Sequence, residues 1–324
     1  MKAVVIHATG GPERLTVADM PDPVPGPGEV LIDVAYAGCN WADTQVRVGI
    51  YPHPMTYPMV LGFEVSGTVA ALGPGVTGVA VGDRVATFPD KGGAYAEKCI
   101  ASAAGLIGLP PAVGLDVGAA FPIQALTAYH MLYTIYGLER GDTVLVNAIG
   151  GGVGLACTQL AVHAGARVIG TVGTPGKETR ALQYGAERVV VTSAEDFEKA
   201  VLDFTAGKGV DLAIDSYGAT MLDRTFNVVR MLGHVISIGE AEGISPRRRT
   251  RRRRPSALVE QRVVAAHPAG HVIDPRAVAE LDAAQPDEAG VEGGRGRREQ
   301  IELAAQHART VAAGGGSARL RACV

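Results

Sequence analysis

The chain has 324 residues, of which 47% are hydrophobic and 19% charged, with a formal net charge of -3 at pH 7. That length accommodates two domains, each able to bury a core, and the near-neutral balance excludes bulk attraction to nucleic acid or membrane. Cys39, Cys99, Cys157 and Cys323 stand far apart with no C-x-x-C pair, which argues against a disulfide framework or a structural zinc and fits a reducing, cytoplasmic setting. The first residues, MKAVVIHATGGPERL, lack the long apolar core of a signal peptide, and no apolar run approaches membrane-spanning length.

From Met1 to about Phe121, short apolar runs broken by Gly and Pro, such as EVLIDVAYAG, EVSGTVAALGP and GDRVATF, predict a compact, mostly β domain over residues 1–122. These strands are too closely spaced for βαβ crossovers. A helical stretch, AAFPIQALTAYHMLYTIYGL, then leads into alternation. TVLVNA, RVIGTV, RVVVT, DLAIDS and HVISIG read as strands, with helices after Gly154, around Lys177 to Tyr184 and near Asp196 to Phe204. That order predicts an α/β doubly wound parallel sheet over residues 123–244. Past Gly243 the character changes. Residues 245–324 contain no Phe, Trp, Tyr, Met or Lys and open with PRRRTRRRRP, so poor order is expected, with only Glu299 to Val311 weakly helical. Abundant Arg without Lys, beside Ala, Gly and Pro, matches a G+C-rich coding sequence read in a shifted frame; resequencing or an intact mass decides that hypothesis.

The most informative stretch is Asp142 to Arg167, DTVLVNAIGGGVGLACTQLAVHAGAR, where an apolar strand runs into a glycine cluster that opens an amphipathic helix. In a βαβ unit this order aims backbone N–H groups and the positive end of a helix at one spot, which suits a dinucleotide pyrophosphate. Gly151 is expected to make the tight turn, Gly152 to let backbone approach phosphate, and Gly154, after Val153, to bring helix and strand together, each without room for a Cβ. Ile149 stands where the strict G-x-G-x-x-G pattern has its first glycine, and an ordinary strand-to-helix turn is the alternative. The next strand ends near Thr174 without the Asp or Glu that binds a ribose 2′-hydroxyl in NAD sites. Lys177 and Arg180 follow instead, and cations favour a 2′-phosphate, so the expected cofactor is NADPH. Solvated charges at a helix start are the competing reading.

Together these residues resemble the zinc-independent quinone oxidoreductase branch of the medium-chain dehydrogenase/reductase family. The matching pieces are AGCNWADTQVRVGIYP, VLGFEVSGTVAALGPGV, VGDRVA, GAYAEK, QALTAYHML, GGGVGLACTQLA, GTVGTPGK and DLAIDSYG, in family order. The resemblance implies a GroES-like β domain followed by a Rossmann domain. Zinc-dependent members carry a G-H-E motif whose His binds the metal; here the positions read Gly62, Phe63, Glu64, and Phe offers no lone pair. Cys39, near the first ligand position, is expected to be a small buried residue. The structural cysteine lobe is missing as well, so no metal is expected.

Without a metal to polarise an alcohol, the chemistry implied is hydride transfer from NADPH to a quinone or an enone, including an enoyl group on a polyketide-like intermediate. By resemblance, Asn40 and Tyr51 face the acceptor and donate hydrogen bonds, although Asn also favours helix caps and Tyr51 beside Pro52 can simply pack. Asp43 and Arg47, four apart, suit an intrahelical ion pair. Thr127 resembles a family residue near the nicotinamide, or it bonds back to its own helix; His130 is expected to pack. Ser216, with Tyr217 and Gly218, and Ile238 with Gly239 end strands at the ligand-binding edge of the sheet and are placed along the cofactor. Homodimers are typical of the family, but this tail puts dimerisation in doubt. The alternative function is an NADPH-binding protein with little turnover whose basic arm contacts nucleic acid.

Overall fold

The computed structural model of the chain describes residues 1–239 apart from Pro52 and Asp90. The Arg-rich tail, on which the expected basic arm and weakly helical stretch fall, lies outside the described residues. Described residues up to Ile123 group into one unit and those from Gln124 into a second.

In the first unit the strands are β1 (Lys2–Ile6), β2 (Thr16–Asp19), β3 (Glu29–Ala37), β4 (Met59–Val60), β5 (Val65–Leu72), β6 (Arg84–Thr87), β7 (Lys98–Ser102) and β8 (Ile107–Gly108). Five of them form an antiparallel sheet in the order β7-β3-β5-β6-β8, and β2-β1-β4 form a second, smaller one. Of the neighbours in the larger sheet only β5 and β6 are consecutive in the chain; the other pairs join strands separated by further elements. Val30, Ile32, Val65, Val69 and Val85 build the main core. Ile6, Val46, Met59 and Leu61 build another beneath helix α1 (Trp41–Val48), with Tyr51, Phe63 and Tyr95 packed against it. Helix α2 (Leu115–Ala119) follows.

Helix α3 (Pro122–Tyr129) continues as a wider π-helical segment, His130–Tyr136, and stops at Gly137, whose φ of 75° is readily adopted by glycine. The second unit then alternates: β9 (Thr143–Val146), α4 (Gly152–His163), β10 (Arg167–Val172), α5 (Thr179–Gln183), β11 (Arg188–Val191), α6 (Phe197–Phe204), β12 (Val210–Asp215), α7 (Ala219–Thr225) and β13 (Val229–Ser237). All five strands are parallel in the order β11-β10-β9-β12-β13, the doubly wound arrangement.

Parallel strands covered on both faces read as continuous apolar runs. Their side chains still alternate: Val144, Val146, Val168, Val172, Leu212 and Ile214 enter one core, whereas Leu145, Ile169 and Ala213 enter the other. Helix α6 covers the second face. Its sequence FEKAVLDF puts Phe197, Ala200, Val201 and Phe204 on one stripe, and Asp196 Oδ1 caps it by accepting from Glu198 N–H at 3.0 Å. Phe197 is fully buried, so Phe197→Ala is expected to cost about 3–5 kcal/mol.

Candidate functional site

Beyond β9 the chain stays tied to both neighbouring strands: Asn147 N–H donates to Ile214 O at 2.9 Å and Ile149 N–H to Thr171 O at 3.0 Å. The turn into α4 is then closed by Gly151 N–H donating to Ala148 O at 3.0 Å. Ala148, with φ of 55°, is the left-handed residue of this turn, a conformation that costs an alanine roughly 1–2 kcal/mol. Gly151 has φ of -84°, and a Cβ built on it would come no closer than 3.4 Å to Ala148 O. The expectation that Gly151 makes the turn and lacks room for a Cβ is therefore corrected. Gly154 is where exclusion is firm, because its Cβ would lie 2.6 Å from Ala148 O and 2.7 Å from Ile149 Cα. A Cβ on Gly152 would meet only the flexible Gln124 side chain, 2.8 Å from its Cγ. The first turn of α4 carries no acid and no side-chain cap, so its positive end is uncompensated from within.

At this edge lies a cavity of about 550 Å³. Ala148, Gly150 and Gly151 line it from the β9–α4 turn, and Val172, Gly173 and Thr174 from the end of β10. Lys177 and Arg180 supply its charged groups, and Tyr217 lines it from the end of β12. Glu178, between the two cations in sequence, is not on the lining; its Oε2 is buried. Of the residues expected from sequence, Gly151, Thr174, Lys177 and Arg180 come together here. Gly152, Val153 and Gly154 open α4 without lining the cavity, and Thr127 sits half-buried on α3. Lys177 itself precedes α5, which starts at Thr179.

Ser216, Ile238 and Gly239 gather beside each other rather than on the lining. Ser216 Oγ donates to Asn147 O at 3.4 Å, Ile238 N–H donates to Asp215 O at 2.9 Å, and a Cβ on Gly239 would lie 2.7 Å from Ser216 O. Under them is a buried polar floor. Thr171 Oγ1 donates to Asn147 Oδ1 at 3.0 Å, and Asn147 Nδ2 donates to Thr225 Oγ1 at 2.8 Å. Asp215, fully buried, accepts from Gly218 N–H at 2.9 Å; burial raises its pKa, opposed by hydrogen bonds from Gly218, Tyr217, Asn147 and Ser237. Of the three residues that the sequence places at this strand end, Ser216, Tyr217 and Gly218, Tyr217 is the one on the wall.

In the first unit, Asn40 occupies the N-cap of α1, and its backbone N–H donates to Asp43 Oδ2 at 2.7 Å. Its Nδ2 donates to Glu64 Oε2 at 3.0 Å, while Glu64 Oε1 accepts from Ile123 N–H, at the start of α3, at 2.7 Å. Glu64 is fully buried. The expected pair of Asp43 and Arg47 is absent: Tyr95 donates its hydroxyl to Asp43 Oδ2 at 2.6 Å, and Arg47 Nη1 donates to Gly10 O at 2.6 Å. Asp43 turns inward, where burial raises its pKa against the hydrogen bonds from Tyr95 and Asn40. Arg47 is better satisfied by a carbonyl near the surface than by following its partner inward. Tyr95 lies 52 residues from Asp43, and no local pattern announces it. Tyr51 is half-buried in the core under α1, and its pKa is raised first by burial and then by the charge of Asp43. Cys39 is exposed, which corrects the expectation of a buried residue: it follows the end of β3 on the way into α1 rather than packing inside. Phe63 meets His53 edge-on at 4.8 Å. His130 Nδ1 lies 3.0 Å from Thr134 Oγ1 on its own π-helical segment. Among the described residues no group of three or more His, Cys, Asp and Glu is placed to hold a metal ion, and no helix is long and apolar enough to cross a membrane.

Two family models match the chain: an alcohol dehydrogenase GroES-like domain over residues 26–118 and a zinc-binding dehydrogenase over residues 152–265. A 2-haloacrylate reductase of Burkholderia sp is 37% identical over 248 residues, covering 75% of this chain and 74% of the relative. A quinone oxidoreductase of Pseudomonas aeruginosa is 37% identical over 242 residues, covering 75% and 74%. Among solved structures, the Escherichia coli quinone oxidoreductase complexed with NADPH superposes with a TM-score of 0.76 at 28% identity, covering 97% of each chain. A mycobacterial protein complexed with NADPH gives a TM-score of 0.75 at 34% identity, again covering 97% of each.

Proposed function

The chain belongs to the quinone oxidoreductase branch of the medium-chain dehydrogenase/reductase family, and we propose that it reduces a quinone or an α,β-unsaturated carbonyl compound with NADPH. That it is an NADPH-dependent oxidoreductase follows from the branch; the acceptor and the site assignments are the proposal. The observation that carries it is the cavity in which an uncapped helix start and a glycine turn meet Lys177 and Arg180. Its volume lies within the range of small-molecule sites, and its lining offers cations but no carboxylate to a phosphorylated ribose.

Bound there, the reduced nicotinamide coenzyme supplies the hydride. The backbone of Gly150, Gly151 and the start of α4, from Gly152 through Val153 to Gly154, draws in the pyrophosphate. Lys177 and Arg180, beside Thr174, hold the 2′-phosphate. Thr127, Ser216, Ile238 and Gly239 are assigned to the rest of the coenzyme. Asn40 and Tyr51 are assigned to the acceptor, where a hydrogen bond to the oxygen that gains charge lowers the barrier. The Tyr51 hydroxyl is protonated at neutral pH, as a tyrosine's ordinarily is, and hence a donor; burial and the charge of Asp43 shift its pKa further up. The relative named 2-haloacrylate reductase is a reason to include conjugated acids beside quinones and enoyl thioesters.

A fluorescence titration of NADPH against NADH, followed by turnover with 1,4-quinones, alkenals, acrylates and enoyl thioesters, tests this reading. NADPH is expected to bind at least about tenfold more tightly, with turnover on one of these acceptors. Tighter NADH binding, or activity that a chelator abolishes and zinc restores, overturns it.

A further inference from the structure

Tyr217 is the only aromatic residue among the described residues lining the cavity, and the way it is held is unusual. The residue that ends β12, Asp215, is fully buried, yet its carboxylate is spent on the loop that follows: Oδ2 accepts from Gly218 N–H at 2.9 Å and Oδ1 from Tyr217 N–H at 3.4 Å. Ser237 Oγ, from β13, adds a donor 3.4 Å from Oδ2. Gly218 has φ of 75° with ψ of -154°, a conformation for glycine, so the loop takes a path that another residue would resist. Burying a carboxylate is expensive, and here the return is a fixed loop rather than an ion pair. The fixed loop carries the Tyr217 ring toward the end of β10, where its hydroxyl lies 3.9 Å from the position a Cβ on Gly173 would take.

We propose that Asp215 is a positioning residue for coenzyme binding, holding Tyr217 as the aromatic wall on which the adenine of the dinucleotide packs. This rests on the NADPH reading above. In NADPH the 2′-phosphate sits on the ribose that bears the adenine, so a cavity that takes this phosphate on Lys177 and Arg180 has the adenine as the adjoining group. Tyr217 is the aromatic side chain on that lining, placed to cover its face. Stacking of a base on an aromatic side chain serves NADPH and NADH equally, whereas the two cations serve NADPH alone.

The test is a titration of both coenzymes against the wild type, Tyr217→Ala, Tyr217→Phe, Lys177→Ala, Asp215→Asn and the double variant Asp215→Asn/Tyr217→Ala, with thermal melts to establish folding. Tyr217→Ala is expected to weaken NADPH and NADH by the same factor, about tenfold, with Tyr217→Phe close to wild type. Lys177→Ala weakens NADPH only. Asp215→Asn follows Tyr217→Ala, and the double variant is no worse than Tyr217→Ala, because both act through one ring. Tyr217→Leu replaces the Ala variant if that one does not fold. Wild-type affinity in folded Tyr217→Ala or Tyr217→Leu, a loss confined to NADPH, or additive losses in the double variant overturns the proposal while leaving the functional reading intact. A wild type that binds neither coenzyme overturns both.

Discussion

Two strand-to-helix turns, one in each unit, treat the amides at the start of their helices in opposite ways. At the β3–α1 turn the chain neutralises its own helix start: Asn40 stands at the N-cap and Asp43 reaches back to its N–H. Glu64 does the same for α3 through Ile123. At the β9–α4 turn there is no side-chain cap and no acid in the first turn, and the residues on the lining are small. A helix start has up to four N–H groups without intrahelical partners and a partial positive charge. Where the protein supplies the anion, the turn is structure; where it supplies none, the turn is left open for the phosphate that the proposed function assigns to it.

The largest expected effect is on the self-neutralised side. Glu64→Leu leaves the Ile123 amide and the Asn40 side chain without their buried acceptor and is expected to cost about 3 kcal/mol, read by denaturant unfolding. The opposite side is broken by supplying an anion where none belongs. Gly151→Asp fits the backbone, since φ is -84° and ψ is 170° and the Cβ has space. NADPH affinity is expected to fall about a hundredfold through repulsion of its phosphates, with the melting temperature held or slightly raised. If affinity survives with the fold intact, the open helix start is not where phosphate binds. Lys177→Ala sharpens the contrast within that cavity: about a tenfold loss for NADPH and none for NADH by titration.

The smallest effect is in the pH dependence of stability. Burial raises the pKa of Asp43 above the ordinary carboxylate range, so the folded state holds the proton more tightly than the unfolded one. Its contribution is full below the unfolded pKa and is lost as pH rises through the folded value. Asp215 acts with the same sign. Asp43→Asn is therefore expected to flatten, without abolishing, the decline in stability as pH rises through and above the ordinary carboxylate range, measured by urea unfolding across that range. An unchanged slope shows that Asp43 ionises as freely in the fold as out of it.

What the sequence determined by itself is local. Runs such as RVIGTV and DLAIDS became strands buried on both faces, the stripe FEKAVLDF became α6, and the glycine cluster and Lys177 with Arg180 already marked one edge of the second unit. These signals lie within a few residues of each other, and periodicity or steric need is enough to read them. Tertiary structure alone decided which groups meet across the chain. Asp43 turned from Arg47 to Tyr95, Glu64 found Ile123, Cys39 stayed exposed, and of Ser216, Tyr217 and Gly218 it was Tyr217 that reached the cavity. Each depends on which polar group finds a partner when the chain closes over it, because a buried acid takes the best donor within reach in space, and separation along the sequence carries no information about that choice.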